Sequence, residues 1–379
     1  MKTDRRVPRA VLSTALAATL VASACGAGGG DGVSNLSTAT TVAGVAAEPQ
    51  RASAEPAVIR LALAPDPIWQ WLEDSGARAA WEQSHNVRIE ASNAFDQFAA
   101  FAGGHADVVL INALDVPKFT EEPGRDPVII GKYTTDRSIL AVRRTSRAEN
   151  LEDLVERRIA VESSLASTLL WGLIAEARYG LDFSQDSPDF DLVTVEPASV
   201  ADLVMRGDVD ACVCTPDYSV PFLASGRLRA LYDGKSAAEL HTTGGLAGED
   251  LGAGLVAIAD AFVTDKAWYA ANQHAVDALL SLWQEGVTAW SENKAQIVAD
   301  YPHHFSVESD AEIAWLADYV AAHDWIVRSV YISDQEAETH KFAFHRLRDL
   351  GLVPADATAP EIYIVQPPGS DAPADGSGG

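Results

Sequence analysis

The chain has 379 residues, 47% of them hydrophobic, and a formal charge of -26 at neutral pH, which is material for one large domain or two ordinary ones. The acidic balance excludes nucleic acid as the natural partner, because phosphate binding needs Lys and Arg to displace counterions. It also argues against direct adsorption to an anionic lipid surface.

Lys2, Arg5, Arg6 and Arg9 make a positive start, followed by a short apolar run over 11–21. That run is too short for a permanent membrane helix, which needs ~20 residues. Small residues precede Cys25 in Ala22-Ser23-Ala24-Cys25-Gly26, which resembles a bacterial lipobox in which the thiol receives a diacylglycerol. Ordinary cleavage after Ala24 would instead leave a plain Cys25. Residues 1–24 therefore read as a signal peptide. Residues 25–57, rich in Gly, Ala, Ser and Thr, read as a flexible tether that cannot bury enough surface to offset its chain entropy.

From there strand and helix alternate. Strands are predicted over 59–64, 87–92, 107–112, 128–134, 139–143, 158–162, 192–196, 211–215 and 229–232. Helices are predicted over 69–84, 95–102 and 167–179, and then over 268–300, 309–322 and 335–350, the first of these three breaking near Gly286. Strands separated by helices imply βαβ units, an α/β fold and mainly parallel sheets, here with a helical C-terminal portion. Residues 366–379 form a Pro/Gly/Asp tail read as disordered.

One pattern occurs twice. Gly104-His105-Ala106-Asp107 leads through an apolar run to Asp115-Val116-Pro117, and Gly207-Asp208-Val209-Asp210 leads likewise to Ser219-Val220-Pro221. Two similar α/β lobes would produce such an echo, and the carboxyl ends of their strands would face a cleft. The second copy holds Cys212 and Cys214. Side by side on one strand face and ~6.6 Å apart, they read as small buried hydrophobes and not as a disulfide. Scattered histidines give them no zinc partners, so no metal and no cofactor is expected.

The helix, Gly-Asp-x-Asp-Ala, apolar strand and polar-Pro loop around 207–221 resemble periplasmic binding proteins of the taurine/alkanesulfonate/nitrate type, the solute receptors of ABC importers. Leu151-Glu152-Asp153-Leu154 through Arg158-Ile159-Ala160-Val161 is similar to that family's passage into its second lobe. Ala166-Ser167-Thr168, Val195-Glu196-Pro197-Ala198-Ser199 and the closing helix also resemble it. The chain departs from the pattern at Cys214, at Glu156-Arg157-Arg158 and at Glu162-Ser163-Ser164-Leu165. The resemblance implies a two-lobed type II periplasmic binding protein fold. Lobe 1 would comprise 58–135 and 242–365, lobe 2 would comprise 136–241, and the ligand would be trapped by closure.

Candidate ligand-binding residues stand in loops after strands and at the starts of helices. They are Asp66, Trp69, Asn93, Phe95, Asn112 and Asp115 in the first lobe, and Ser167, Thr168, Asp217 and Tyr218 in the second, with Lys132, Tyr133 and Arg137 near the crossing. Ser167 and Thr168 could hold an anion at a helix start or simply cap it. Asp217 could hold an amine or cap a helix. No nucleophile elbow, His-Glu-x-x-His or phosphate loop is present, so no enzyme is expected. The expectation is a monomeric, lipid-anchored, extracytoplasmic receptor. It would take a small, anionic organic solute of sulfonate, nitrate or taurine type and meet permease and ATPase subunits. A sensor receptor, an extracytoplasmic enzyme on the same fold, and an aromatic carboxylate or thiamine-pyrimidine ligand are the alternatives.

Overall fold

The computed structural model describes residues 55–93, 97–121, 124–162, 165–243 and 258–369. The expected signal peptide, the tether up to residue 54, Cys25, Phe95 and residues 370–379 of the tail lie outside them.

The first run of elements is β1 (Ala57–Leu63), α1 (Pro67–Asp74), α2 (Ala77–His85), β2 (Val87–Asn93), α3 (Gln97–Ala102), β3 (Val108–Asn112) and β4 (Pro127–Lys132). The second run is β5 (Ile139–Arg143), β6 (Arg158–Glu162), α4 (Leu165–Tyr179), β7 (Asp191–Val195), α5 (Pro197–Arg206), β8 (Ala211–Cys214), α6 (Pro216–Ala224), β9 (Leu228–Ala230) and α7 (Ala237–Thr243). The chain then returns through β10 (Asp260–Asp265), α8 (Lys266–Ala271), α9 (Gln273–Asp300), α10 (Asp310–Ala322) and α11 (Asp334–Asp349).

These strands form two sheets, in the orders β2-β1-β3-β10-β4 and β7-β6-β8-β5-β9. In each sheet four of the five strands run the same way, the mainly parallel arrangement expected, and one runs against them. β1 pairs parallel with β2 and β3, and β6 with β7 and β8, but β10 and β5 run antiparallel to their neighbours. β5 and β10 are the strands by which the chain enters the other sheet, and β5 follows β4 directly with no helix between them. β10 was not foreseen, because its apolar run is short and ends in Asp260 and Asp265.

The sequence echo is a structural one. α3 and α5 each hand over to a left-handed glycine, Gly104 (φ 73°) and Gly207 (φ 84°). The following aspartate then ties the strand beside it: Asp107 accepts from the Arg60 backbone N–H at 2.9 Å, and Asp210 from that of Arg158 at 3.2 Å. Each arginine in turn donates to a backbone oxygen of the glycine turn, Gly104 O and Asp208 O.

The helix predicted over 69–84 is two helices, divided at Gly76 with φ 77°. The long C-terminal helix breaks at Asn272 and kinks at Asn293, not at Gly286. Gly286 is instead a contact point, where a Cβ would lie 2.6 Å from Ile68 Cγ2. Trp69, Trp283, Phe262 and Tyr133 stack and edge-pack at the centre of the first core. Cys212 and Cys214 are buried on β8 and joined as a disulfide, which corrects the expectation of two separate hydrophobes. The strand brings their Cα atoms to 5.5 Å, within the span of roughly 4.4–6.8 Å that such a bond takes.

Residues 133–138 carry the chain from the first sheet to the second. Tyr133 and Thr134 pair with Asp260 and Ala259 on one side, and Thr135 with Trp325 on the other. α11 and the segment after it lie against α4, where Leu352 fills the space beside Gly172. The chain then returns to the first sheet, with Ile362 beside Ile129 of β4.

Candidate ligand-binding site

A cavity of about 230 Å³ opens where strands of the two sheets end. It is lined by Asp66, Tyr133 and Asp260 from the first sheet's side, Asp217 from the second, and Arg137 from the crossing segment between them. Trp290 and Trp325 complete its aromatic wall.

Each polar group is placed by its element. The Pro-Asp-Pro after β1 stops the strand, and Asp66 caps α1 through Oδ1, which accepts from the Trp69 N–H at 2.8 Å. Its Oδ2 accepts from the Tyr133 hydroxyl at 2.6 Å. Asp217 sits in the first turn of α6, and Thr215 just ahead of it donates its N–H to Glu162 at 3.0 Å. Arg137 grips Asp217 with two hydrogen bonds of 3.1 Å, from Nε and from Nη2. Its Nη1 stands 3.8 Å from Asp260 Oδ2, which also accepts from the Thr134 hydroxyl at 2.6 Å. The guanidinium lies 5.9 Å from the centre of the Trp325 ring.

The electrostatics follow from this crowding. Burial pushes Asp66 up to about 6, against the hydrogen bonds from Tyr133 and Trp69. Burial, with the nearby charge of Asp217, pushes Glu162 up to about 7, and burial raises Asp136 as well. Burial also works against the charge on Arg137, yet Asp217 and Asp260 outweigh it and hold the guanidinium above its ordinary value. His304, another lining residue, is pushed down to about 4 by burial and by His303.

Of the residues named from sequence, Asp66, Tyr133, Arg137 and Asp217 converge here. Of the other candidates, Trp69, Lys132, Asn112, Asp115, Asn93, Tyr218 and Thr168 do not line the cavity. Trp69 stacks on Trp283 with ring centres 5.4 Å apart and is a core residue. Lys132 pairs with Glu336 of α11. Asn112 turns its own backbone by accepting from the Leu114 N–H, Asp115 pairs with Lys118, and Asn93 is exposed at the end of β2. Tyr218 is half-buried on α6. Ser167 and Thr168 lie inside the first turn of α4 and not at its cap, and the Thr168 hydroxyl is buried with no hydrogen-bond partner among the described residues. Asp260, Asp136, Glu162, Trp290 and Trp325 were missed. Asp136, beside Arg137 at a strand's start, carried a signal; Asp260 could be found only once β10 was known. Among the described residues no group of three or more His, Cys, Asp or Glu is arranged to hold a metal ion.

Two sheets joined by crossing segments, with a polar cavity at their strand ends, define a periplasmic binding protein fold. The solved structures agree. The alkanesulfonate-binding protein SsuA of Xanthomonas axonopodis pv. citri, bound to MOPS, superposes with a TM-score of 0.62 at 18% identity, over 82% of this chain and 99% of that one. The periplasmic aliphatic sulphonate binding protein SsuA of Escherichia coli does so with 0.61 at 18% identity, over 79% and 94%. A Candida albicans protein, CA3427, described as exhibiting the generic periplasmic binding protein structural fold, matches with 0.52 at 9% identity, over 82% and 98%. No curated protein sequence matches the chain. The family described as "ABC transporter, phosphonate, periplasmic substrate-binding protein" matches residues 83–295, and the chain belongs to it. It is the substrate-binding component of an ABC transporter, and its family places it outside the cytoplasm. The family and the two SsuA neighbours are described as binding proteins.

Proposed function

We propose that this receptor encloses a small polar organic solute in the cavity between its two lobes and delivers it to the membrane subunits of an importer without transforming it. The observation that carries this is the cavity itself: Asp66, Tyr133 and Asp260 face Asp217 across the crossing segment, and Arg137 bridges the two sides. A group that binds both sides favours the closed arrangement over the open one. Sulfonates, the class named for the structural relatives, are the first solutes to consider, and Arg137 is the lining cation that would meet the sulfonate. The division into lobes of 58–135 with 242–365 and of 136–241 belongs to the same reading. So do a monomeric state and a lipid anchor on Cys25.

The test is a thermal-shift panel on protein freed of bound solute by unfolding and refolding. Taurine, alkanesulfonates, nitrate, aromatic carboxylates and thiamine-pyrimidine precursors make up the panel. A ligand of the native form raises the melting temperature by mass action. A rise with one class identifies the cargo, and small-angle scattering should then show a smaller radius of gyration. A cooperative melt unmoved by the whole panel would remove these cargoes.

A further inference from the structure

The charges of the cavity are lopsided. Among the described residues, Asp66, Asp217 and Asp260 line it against one guanidinium, and Glu162 and Asp136 act on that guanidinium from close by. Arg137 is already committed: Asp217 takes it by a two-pronged pair, and Asp260 stands on its remaining nitrogen. An oxyanion arriving alone has two courses. It can lie beside Asp260 with no free cation among the described lining residues to meet it. Or it can draw Arg137 away and leave Asp217, whose side chain is 11% exposed, charged and unpaired. Both are strongly unfavourable in a partly buried site.

A cation meets the opposite situation. Asp260 Oδ1 accepts no hydrogen bond among the described residues, and the Asp260 side chain is 32% exposed. Trp290, Trp325 and Tyr133 supply aromatic surface to the same cavity, and ring faces attract cations. Acidic groups and indoles around one space of about 230 Å³ are complementary to a compact organic cation.

We propose that the solute carried by this receptor bears a positively charged nitrogen, an ammonium or amidinium, received by Asp260 and Asp217 and packed against the Trp325 wall. The inference rests on the receptor reading above and narrows its cargo. An acidic group elsewhere on the solute is compatible, because a nitrogen taking over Asp217 releases Arg137 to meet it. The raised carboxyl of Glu162, set first by burial and then by the charge of Asp217, is consistent with that crowding of carboxylates.

The test uses the purified full chain, stripped by unfolding and refolding. It is dialysed to equilibrium against the small-molecule fraction of yeast extract, supplemented with propane-1-sulfonate, propylammonium, choline, agmatine and propan-1-ol. Retained solutes are identified by mass spectrometry. The expected result is retention of a species with a cationic nitrogen. Asp260→Asn, which keeps an acceptor for the Thr134 hydroxyl, should weaken it about tenfold, as loss of one charge pair does. Asp217→Asn, which removes the second carboxylate, should weaken it as well. Retention of an oxyanion or neutral solute without such a nitrogen, abolished by Arg137→Gln, overturns the inference and leaves the receptor reading intact. Retention of nothing by wild-type protein that melts cooperatively overturns the receptor reading and this inference with it.

Discussion

Glu162 shows how a single residue in this cleft couples charge to stability. It is 5% exposed, and it accepts the Thr215 N–H at the approach to α6. Its folded pKa of about 7 lies above its ordinary 4.5. The folded state therefore holds a proton that the unfolded chain has released, and this group destabilises the fold increasingly as pH rises from about 4.5 to about 7. Glu162→Gln keeps the acceptor and removes the charge. Melting curves should show the variant more stable than wild type at pH 8, with the difference vanishing near pH 4. Trp69 makes the contrasting case. Trp69→Phe should lower stability by about 1–3 kcal/mol in denaturant titrations, through lost packing on Trp283, and leave solute affinity unchanged. The two residues also mark what was legible in sequence. Asp66 and Asp217 could be named because a polar residue just past a strand must lie at a sheet's carboxyl end. Trp69 three residues later could not be separated from them, since helix phase decides whether it faces cavity or core, and Pro67 sets that phase locally.

At the level of elements, close approach outweighs propensity where α1 crosses α9. Gly286 in an exposed helix would be worth replacing, since Ala gains about 1 kcal/mol in a helix interior. Here the added methyl would meet Ile68 Cγ2 at 2.6 Å and Leu72 Cδ1 at 3.1 Å, both in fully buried side chains. Gly286→Ala should therefore destabilise by about 1–3 kcal/mol, as overpacking does, and the sign of the change in a urea titration checks it. The same crossing explains why the sequence suggested a break at this glycine and the chain has none: the small residue serves the neighbouring helix. Boundaries set by local chemistry were legible. Ser309 and Ser333 begin α10 and α11 with capping boxes closed by Glu312 and Glu336, within a residue of the expected starts. The antiparallel direction of β5 and β10 was not, because strand direction depends on where the chain has travelled and leaves no mark on alternation.

For the whole molecule, the two sheets repeat one plan, and the crossing segment 133–138 is joined by α10 in holding them together. The stretch just after α10 pairs with that segment through Trp325 and Thr135. α10 itself packs on α9 of the first lobe and reaches α6 and the segment before α7 of the second. Tyr319 there donates its hydroxyl to Gly234 O at 2.9 Å, and His323 Nδ1 lies 3.1 Å from Glu239 Oε1. These contacts join α10 to the second lobe; if opening breaks them, they would act on escape of the solute more than on its arrival. Tyr319→Phe removes one of them and keeps the ring that stacks on Trp315 at 5.1 Å. A net hydrogen bond of about 0.5–1.5 kcal/mol, lost from the closed form alone, should raise the dissociation rate about 2- to 10-fold. The association rate should stay within about twofold, because the encounter takes place with the lobes apart. The melting temperature without solute should move little if the open form dominates there, and the stabilisation conferred by saturating solute should fall by about 0.4–1.4 kcal/mol, the logarithm of the affinity ratio. Stopped-flow association and displacement traces separate these effects. A variant slowed in association, with dissociation unchanged, would place α10 in the encounter and not in the latch.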